Sequence, residues 1–197
     1  MEIRILQEEE IKSASGLSRY VFDTCLRHRM EYPQTIAFVE EYITEANLEK
    51  LFEECELILW GGFEGEQLVA VSGLQRDGLI TMLYVLPTHQ NRGYGNHLLK
   101  IMREYAKTAC GFERVTLNAN PAWTYTYFLK QGFFTQTKTF GFHGSRYHLE
   151  RLPCAHFVCK QGVSAIKNVS NSISLMLTKV DVGSHATKGY VLAVVFA

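Results

Sequence analysis

Leu79-Ile80-Thr81-Met82-Leu83-Tyr84-Val85-Leu86-Pro87 leads through Thr88-His89 into Gln90-Asn91-Arg92-Gly93-Tyr94-Gly95, and then into a long segment that begins Asn96-His97-Leu98-Leu99. An apolar run closed by proline, a glycine turn and a helix-forming segment read as strand, turn and helix. From Leu98 the apolar positions Met102, Tyr105, Ala106 and Ala109 recur at helical spacing, so one helix face is expected to be buried, and Gly111 supplies a left-handed stop. The first amides of such a helix lack internal partners and lie at the positive end of its dipole, where they can surround a phosphate. Gly93 and Gly95 keep side chains out of that space.

Other phosphate loops fit these residues less well. A Walker loop asks for Gly-Lys-Ser/Thr where the chain has Leu98, Leu99 and Lys100. A dinucleotide fingerprint asks for a third small residue, and that place is also Leu98. Glu113 precedes the next expected strand, whereas a ribose-binding acid follows one. The alternative without a ligand is an ordinary strand-to-helix turn.

The flanking residues resemble the acetyl-CoA signature of the GNAT superfamily of N-acetyltransferases, a strand ending V-x-P followed by Q/R-x-x-G-x-G/A and a leucine-rich helix. It stands here as Val85-Leu86-Pro87, Gln90-Asn91-Arg92-Gly93-Tyr94-Gly95 and Leu98-Leu99. The resemblance covers residues 1–152 and is strongest over 79–133. It implies an α/β (α+β) fold with a mixed, mostly antiparallel central sheet flanked by helices. It further implies that the amides of Gln90, Asn91, Arg92, Gly93, Tyr94, Gly95 and Asn96 hold the coenzyme A pyrophosphate. The backbone around Leu83, Tyr84 and Val85 is expected to pair with pantetheine like an added strand, with Asn118, Asn120 and Phe128 as further coenzyme contacts. Acetyl-CoA is the implied co-substrate, and no metal is expected.

The bulk properties agree with a small-molecule partner. The chain has 197 residues, enough for one domain with a full core, and its 20 Lys and Arg balance 20 Asp and Glu. No net field draws in nucleic acid or an anionic membrane, and a homodimer is compatible with this balance. The start Met1-Glu2-Ile3-Arg4 lacks an apolar signal core, and no run approaches the ~20 apolar residues of a membrane span, so a cytoplasmic location is expected. Cys25, Cys55, Cys110, Cys154 and Cys159 are an odd set without tight pairs, expected to be reduced and mostly in helices. Cys154-x-His156-x-x-Cys159, with His148 one strand earlier, has zinc-ligand chemistry but the spacing of no common finger.

Outward from the glycine turn, residues 2–6 alternate as a first strand. Ile11, Ala14, Ser18, Val21, Phe22, Cys25 and Leu26 mark a helix face that Gly16 threatens to interrupt. Pro33 ends that segment and opens another bearing Ile36, Val39 and Ile43. In the resembling family the connection between the first two helices closes over the acceptor, so Arg29, Glu31 and Tyr32 are candidate substrate contacts; solvated charge at a helix end is the alternative.

Residues 57–63 and 67–74, separated by Glu64-Gly65-Glu66, read as a hairpin, and 79–85 as the third strand of a meander. Residues 114–118 form a strand reached by a helical crossover, which predicts a parallel pairing. Divergence of those two strands leaves backbone groups for an extended ligand such as pantetheine. Asn120-Pro121 starts a helix that Gly132 ends, and 133–140 with 143–152 close the sheet around Gly141.

Residues 153–197 read as a C-terminal extension of unknown role: Asp181 is the only carboxylate side chain after Glu150, and 164–174 is rich in Ser and Asn. Asn168-Val169-Ser170 fits a glycosylation acceptor, which a cytoplasmic protein does not use. The apolar stretch 190–196 is a strand candidate that requires a sheet edge or a partner chain.

Acetyl transfer to an amine needs a neutral nucleophile, a polarised carbonyl and a proton for the departing thiolate. In the resembling family a tyrosine before a Gly-Phe pair supplies that proton. Counting back from Gly132-Phe133 places the position at Phe128, which has no proton to give, and counting forward from Asn120 places it at Tyr127. Tyr127 is the favoured catalytic residue, with packing of Trp123, Tyr127 and Phe128 in the core as the alternative. Thr81, Met82, Leu83 and Tyr84 offer no carboxylate base, which leaves water or Glu31; His89 and His97 read as loop surface or coenzyme contacts. The expected activity is N-acetylation of a primary amine of a small molecule by direct attack in a ternary complex. A peptide or protein amine, and a non-catalytic acyl-CoA sensor, are the alternatives.

Overall fold

The computed structural model describes residues 2–30, 32–119, 124–141, 144–151 and 194–195, with side chains as far as Phe134. β1 (Glu2–Ile5) is followed by α1 (Ile11–Val21), α2 (Pro33–Tyr42) and α3 (Glu45–Glu53). β2 (Leu57–Glu64), β3 (Gln67–Gln75) and β4 (Leu79–Val85) form the antiparallel meander expected from the two turn signals, Gly65 and Gly78 turning the chain at φ of 61° and 85°. α4 (Tyr94–Thr108) crosses to β5 (Val115–Ala119), α5 (Thr124–Lys130) follows, and β6 (Phe134–Gly141) and β7 (Gly144–Arg151) make the closing hairpin. Among the described residues the sheet order is β1-β2-β3-β4-β5-β7-β6, and a short β8 (Val194–Val195) pairs with β4 off that path.

The α1 face holds Ile11, Ala14, Leu17, Ser18 and Val21 buried, and Gly16 does not interrupt it. Gly16 is exposed and a Cβ there would meet nothing within 4 Å, so the helix loses only a little propensity at that position. Beyond Val21 the chain widens into a π turn over Phe22–Leu26 and tightens over Arg27–Arg29, so helical structure stops four residues before Pro33. Pro33 opens α2 in the first helical position, where its missing N–H costs nothing. α3 was not anticipated from the apolar spacing. Its start is set by Thr44, whose Oγ1 accepts from the Asn47 N–H at 3.3 Å, and Leu48 is its buried anchor.

The sheet separates two cores. On one face α1, α2 and α3 cover Leu57, Leu59, Val71, Met82 and Tyr84. On the other, Leu98, Leu99, Met102 and Ala106 of α4 pack with Trp60, Ile80, Leu83 and Val85, and Phe128 and Phe133 extend that layer. Each fully buried aliphatic side chain contributes roughly 1.5–3 kcal/mol, so the meander is held from both sides.

β4 is the hinge of this arrangement. Gly73 pairs with Met82 and Leu74 with Ile80, leaving Thr81 as an extra residue and the strand bulged there. Buried Thr81 accepts a hydrogen bond at Oγ1 from the Tyr42 hydroxyl at 3.1 Å, and Gln75 Nε2 donates to that same hydroxyl at 3.4 Å. Burial pushes the Tyr42 phenol up to about 12, so it stays a donor. β5 pairs with β4 in parallel, as the crossover predicted, only at Leu79 with Thr116 and Ile80 with Leu117. The pairing stops where the bulge bends β4 away.

The chain divides into two compact units, one comprising Met1–Pro153 with Val191–Ala197 and the other Cys154–Tyr190. The end of the expected extension therefore groups with the N-terminal body. Cys25, Cys55 and Cys110 are free thiols, of which only Cys25 lies in a helical segment; the other two follow helix ends. Cys154, His156, Cys159 and the Asn168 site lie outside the described residues. Among the described residues no helix is long and apolar enough to cross a membrane. Removing the Tyr42 hydroxyl strips buried Thr81 of its donor, so Tyr42→Phe is expected to destabilise the fold by about 1 kcal/mol, read as a lower urea midpoint at unchanged slope.

Candidate active site

The turn between β4 and α4 is fastened at both ends. The Gln90 side chain donates from Nε2 to the Val85 carbonyl at 3.0 Å. His89 contacts Thr88 Oγ1 at 2.9 Å through Nδ1 and Glu64 Oε2, at the end of β2, at 2.8 Å through Nε2. Its ring stands edge-on to Tyr94, centroids 5.9 Å apart. His89 is thus a latch between the loop and the β2–β3 hairpin.

Asn91 and Gly93 adopt left-handed conformations, at φ of 60° and 89°. Asparagine tolerates that region and glycine enters it freely. A Cβ at Gly93 would meet nothing within 4 Å, so backbone conformation demands glycine there and the space above it is open. α4 begins at Tyr94 with no side-chain cap, and its first internal bond runs from the His97 N–H to the Gly93 carbonyl at 3.0 Å. The Tyr94, Gly95 and Asn96 amides precede that bond, as the glycine turn predicted. Asn91, Arg92, Gly93 and Asn96 are exposed, whereas the Tyr94 ring is buried in the α4 core. The result is an open, positively polarised helix end beside the C-terminal end of β4.

The second component is the far edge of β4. The Leu86 N–H donates to the Val69 carbonyl on the β3 side at 2.9 Å. Alternation therefore turns the polar groups of Val85, and of Leu83 two residues earlier, toward the opposite edge, and the Gln90 bond to the Val85 carbonyl agrees with that direction. The Tyr84 side chain points instead into the α1–α3 core, where burial raises its phenol pKa. β5 has left this edge by then and β8 pairs there with Met82 and Leu83, so the edge offers its backbone groups to an added extended segment.

The third component is Tyr127 on α5. Its hydroxyl donates to Asn96 Oδ1 at 2.8 Å, and burial raises its pKa well above the ordinary phenol range. The phenol is therefore tied to the same first turn of α4 that leaves its amides free. Phe128 is fully buried, edge-on to both Tyr127 and Phe133 at 5.3 Å and 5.6 Å. Phe128, the position reached by the backward count from Gly132 and expected as a coenzyme contact, is thus a ring of this core. Of the other expected contacts, Asn118 is buried on β5 opposite His148 of β7, and Asn120 lies outside the described residues.

Arg29 is exposed at the end of the tightened turn, its Nε 3.3 Å from His28 Nε2. Tyr32 is half-buried as the residue preceding α2, and Glu31 lies outside the described residues. The connection is braced from below, since Arg19 and Arg27 both pair with Glu40 of α2. Among the described residues no group of three or more His, Cys, Asp or Glu side chains is placed to hold a metal ion. Two features escaped the reading of the sequence. Asn96 figured only through its amide, although its side chain holds Tyr127, and the bulge at Thr81 has no composition signal.

The family model described as an acetyltransferase (GNAT) domain matches residues 25–149. No curated protein matches significantly. Among solved structures, a GCN5-related N-acetyltransferase from Rhodopseudomonas palustris superposes with TM-score 0.66 at 16% identity, covering 77% of this chain and 95% of its own. PaiA N-acetyltransferase from Thermoplasma acidophilum, in complex with coenzyme A, gives 0.61 at 17% identity over 78% of this chain and all of its own. A variant of the spermidine N-acetyltransferase SpeG from Vibrio cholerae gives 0.54 at 17% identity, over 77% and 92%.

The loop geometry separates strain from blockage at Gly93. Gly93→Ala is expected to fold with about 1–2 kcal/mol less stability, the cost of a left-handed side chain, measured by urea denaturation. Gly93→Val, which fills the open space, is expected to weaken coenzyme A binding by at least about tenfold in calorimetry. Unchanged affinity would remove this loop as the pyrophosphate site.

Proposed function

The chain belongs to the GNAT acetyltransferase family and is an acetyl-CoA-dependent acyltransferase, and on that premise we propose that it acetylates the primary amine of a small molecule by direct attack in a ternary complex. One observation carries the proposal: the Tyr127 phenol is hydrogen-bonded to the turn of α4 whose amides are free, beside the edge of β4 that β5 leaves after Ile80. That is where the three demands of the reaction meet. The Gln90–Asn96 loop holds the pyrophosphate with backbone amides, and the Leu83 and Val85 groups align pantetheine along β4. A strand N–H at the end of β4 then faces the thioester carbonyl and stabilises the oxyanion as the amine adds. Collapse of the tetrahedral species forms the amide and expels coenzyme A thiolate, to which Tyr127 gives its proton.

The raised pKa of Tyr127 bears on this role in two ways. It keeps the phenol protonated through neutral and mildly alkaline pH, and it makes proton transfer to the thiolate, the conjugate base of a stronger acid, more uphill. β4 presents no carboxylate, which leaves water or Glu31 to deprotonate the incoming ammonium. Arg29, Glu31 and Tyr32 are the candidate acceptor contacts, and the neutral balance of the chain supports a small amine over a charged polymer. The likeness to SpeG, which by name acts on spermidine, supports testing polyamines first.

Tyr127→Phe is expected to lower kcat by about a hundredfold while leaving the Kd for acetyl-CoA nearly unchanged, since the turn stays fastened by Gln90 and His89 when the bond to Asn96 is lost. A panel of polyamines, amino acids and aminoglycosides, followed by thiol release, reads this directly; turnover on peptide amines alone would replace the small-molecule acceptor. The sign of the pH dependence follows from the pKa direction. The rate should rise with pH as the acceptor deprotonates and show no falling limb from Tyr127 below about pH 10, the ordinary phenol value that burial here exceeds.

A further inference from the structure

The free edge of β4 has an occupant in the chain itself. Residues 190–197 read Tyr-Val-Leu-Ala-Val-Val-Phe-Ala, an uncharged apolar stretch that needs a sheet edge. β8 meets that need by pairing in parallel with β4, Val194 opposite Met82 and Val195 opposite Leu83. It also lies against β5, so it fills the wedge that opens once β4 and β5 part after Ile80. Val191–Ala197 belong to the same compact unit as residues 1–153.

This is the edge on which the Leu83 backbone faces outward, and a backbone N–H or C=O cannot serve two extended partners at once. We propose that the C-terminal strand is an intramolecular competitor of the acyl-CoA arm, so that coenzyme binds only as β8 leaves β4. The inference rests on the reading of β4 as the pantetheine edge. Two paired residues make a weak strand, but attachment to the same chain gives it a high local concentration, which sustains occupancy without tight contacts. Coenzyme affinity is then reduced by the fraction of molecules in which the wedge is filled; a strand seated nine-tenths of the time raises the apparent Kd about tenfold. The tail thereby sets the acetyl-CoA concentration at which the enzyme begins to work.

The test compares the full-length protein with its Val194→Pro/Val195→Pro variant, in which the pairing amides are removed. Calorimetric titration with acetyl-CoA is expected to give a Kd about three- to tenfold lower for the variant. An equal or higher Kd in a variant that binds would overturn the competitor while leaving the coenzyme site intact. Absence of binding by both proteins would instead sink the pantetheine reading, and the competitor with it. Hydrogen exchange on the unaltered protein supplies a readout that no substitution can compromise. Saturating acetyl-CoA should accelerate exchange of the 194–195 amides while the 83–85 amides stay protected. Amides in β8 that are unchanged or slowed would mean that strand and coenzyme do not compete.

Discussion

The bulge at Thr81 marks where β5 parts from β4. β4 is covered on both faces and paired on its β3 edge, so the remaining edge is its only route to a ligand. β5 stays with that edge for two residues, Leu79 and Ile80, and parts from it at the extra residue, after which β8 takes its place beside Met82 and Leu83. Tyr42 holds the bulge from the α1–α3 side through a buried hydrogen bond that water does not contest. A residue of α2 that touches no part of the site thus helps to keep it open.

Around that edge, the polar groups that matter belong to the backbone and are placed by packing elsewhere. The amides at the start of α4 are free because Gly93 turns left-handed and has no side chain to cap them. The helix cannot shift along its axis without pulling Leu98, Leu99 and Met102 from the core beneath, so the amides are fixed before a ligand arrives. His89 and Gln90 fix the loop from the other side, and Asn96 brings Tyr127 to the same turn. The phenol and the open amides thus share one turn of helix. The C-terminal strand joins this arrangement by pairing with the same edge at Met82 and Leu83.

Much of this was legible in the residues because the signals were local. The turn at Gly65, the left-handed stops at Gly111 and Gly132, and the proline that opens α2 act through φ, which a residue sets for itself. The alternation through 57–85 and the helical spacing from Leu98 reported burial correctly, since both cores are built on those faces. α3 escaped because its apolar residues form a short stripe, and its start depends on the Thr44 hydroxyl more than on hydrophobic period. The two tyrosine counts at residues 127 and 128 could not be separated by spacing, since one residue turns a helix by ~100°. Packing of Phe128 against Phe133 settled which of the two lies in the core.

What the sequence determined by itself was the order and type of most elements, the antiparallel meander, the parallel crossover to β5 and the left-handed turn at Gly93 that leaves the start of α4 uncapped. Each depends on residues adjacent along the chain, through dihedral preference, capping or period. Only the tertiary structure decided that β4 bulges at Thr81, that the Asn96 side chain holds Tyr127, and that residues 194–195 seat themselves on β4. Those are contacts between residues 31 to more than a hundred positions apart, chosen by which groups are left unpaired when the two cores close. No local pattern carries that information, because an unpaired strand edge exists only after its neighbours have been placed.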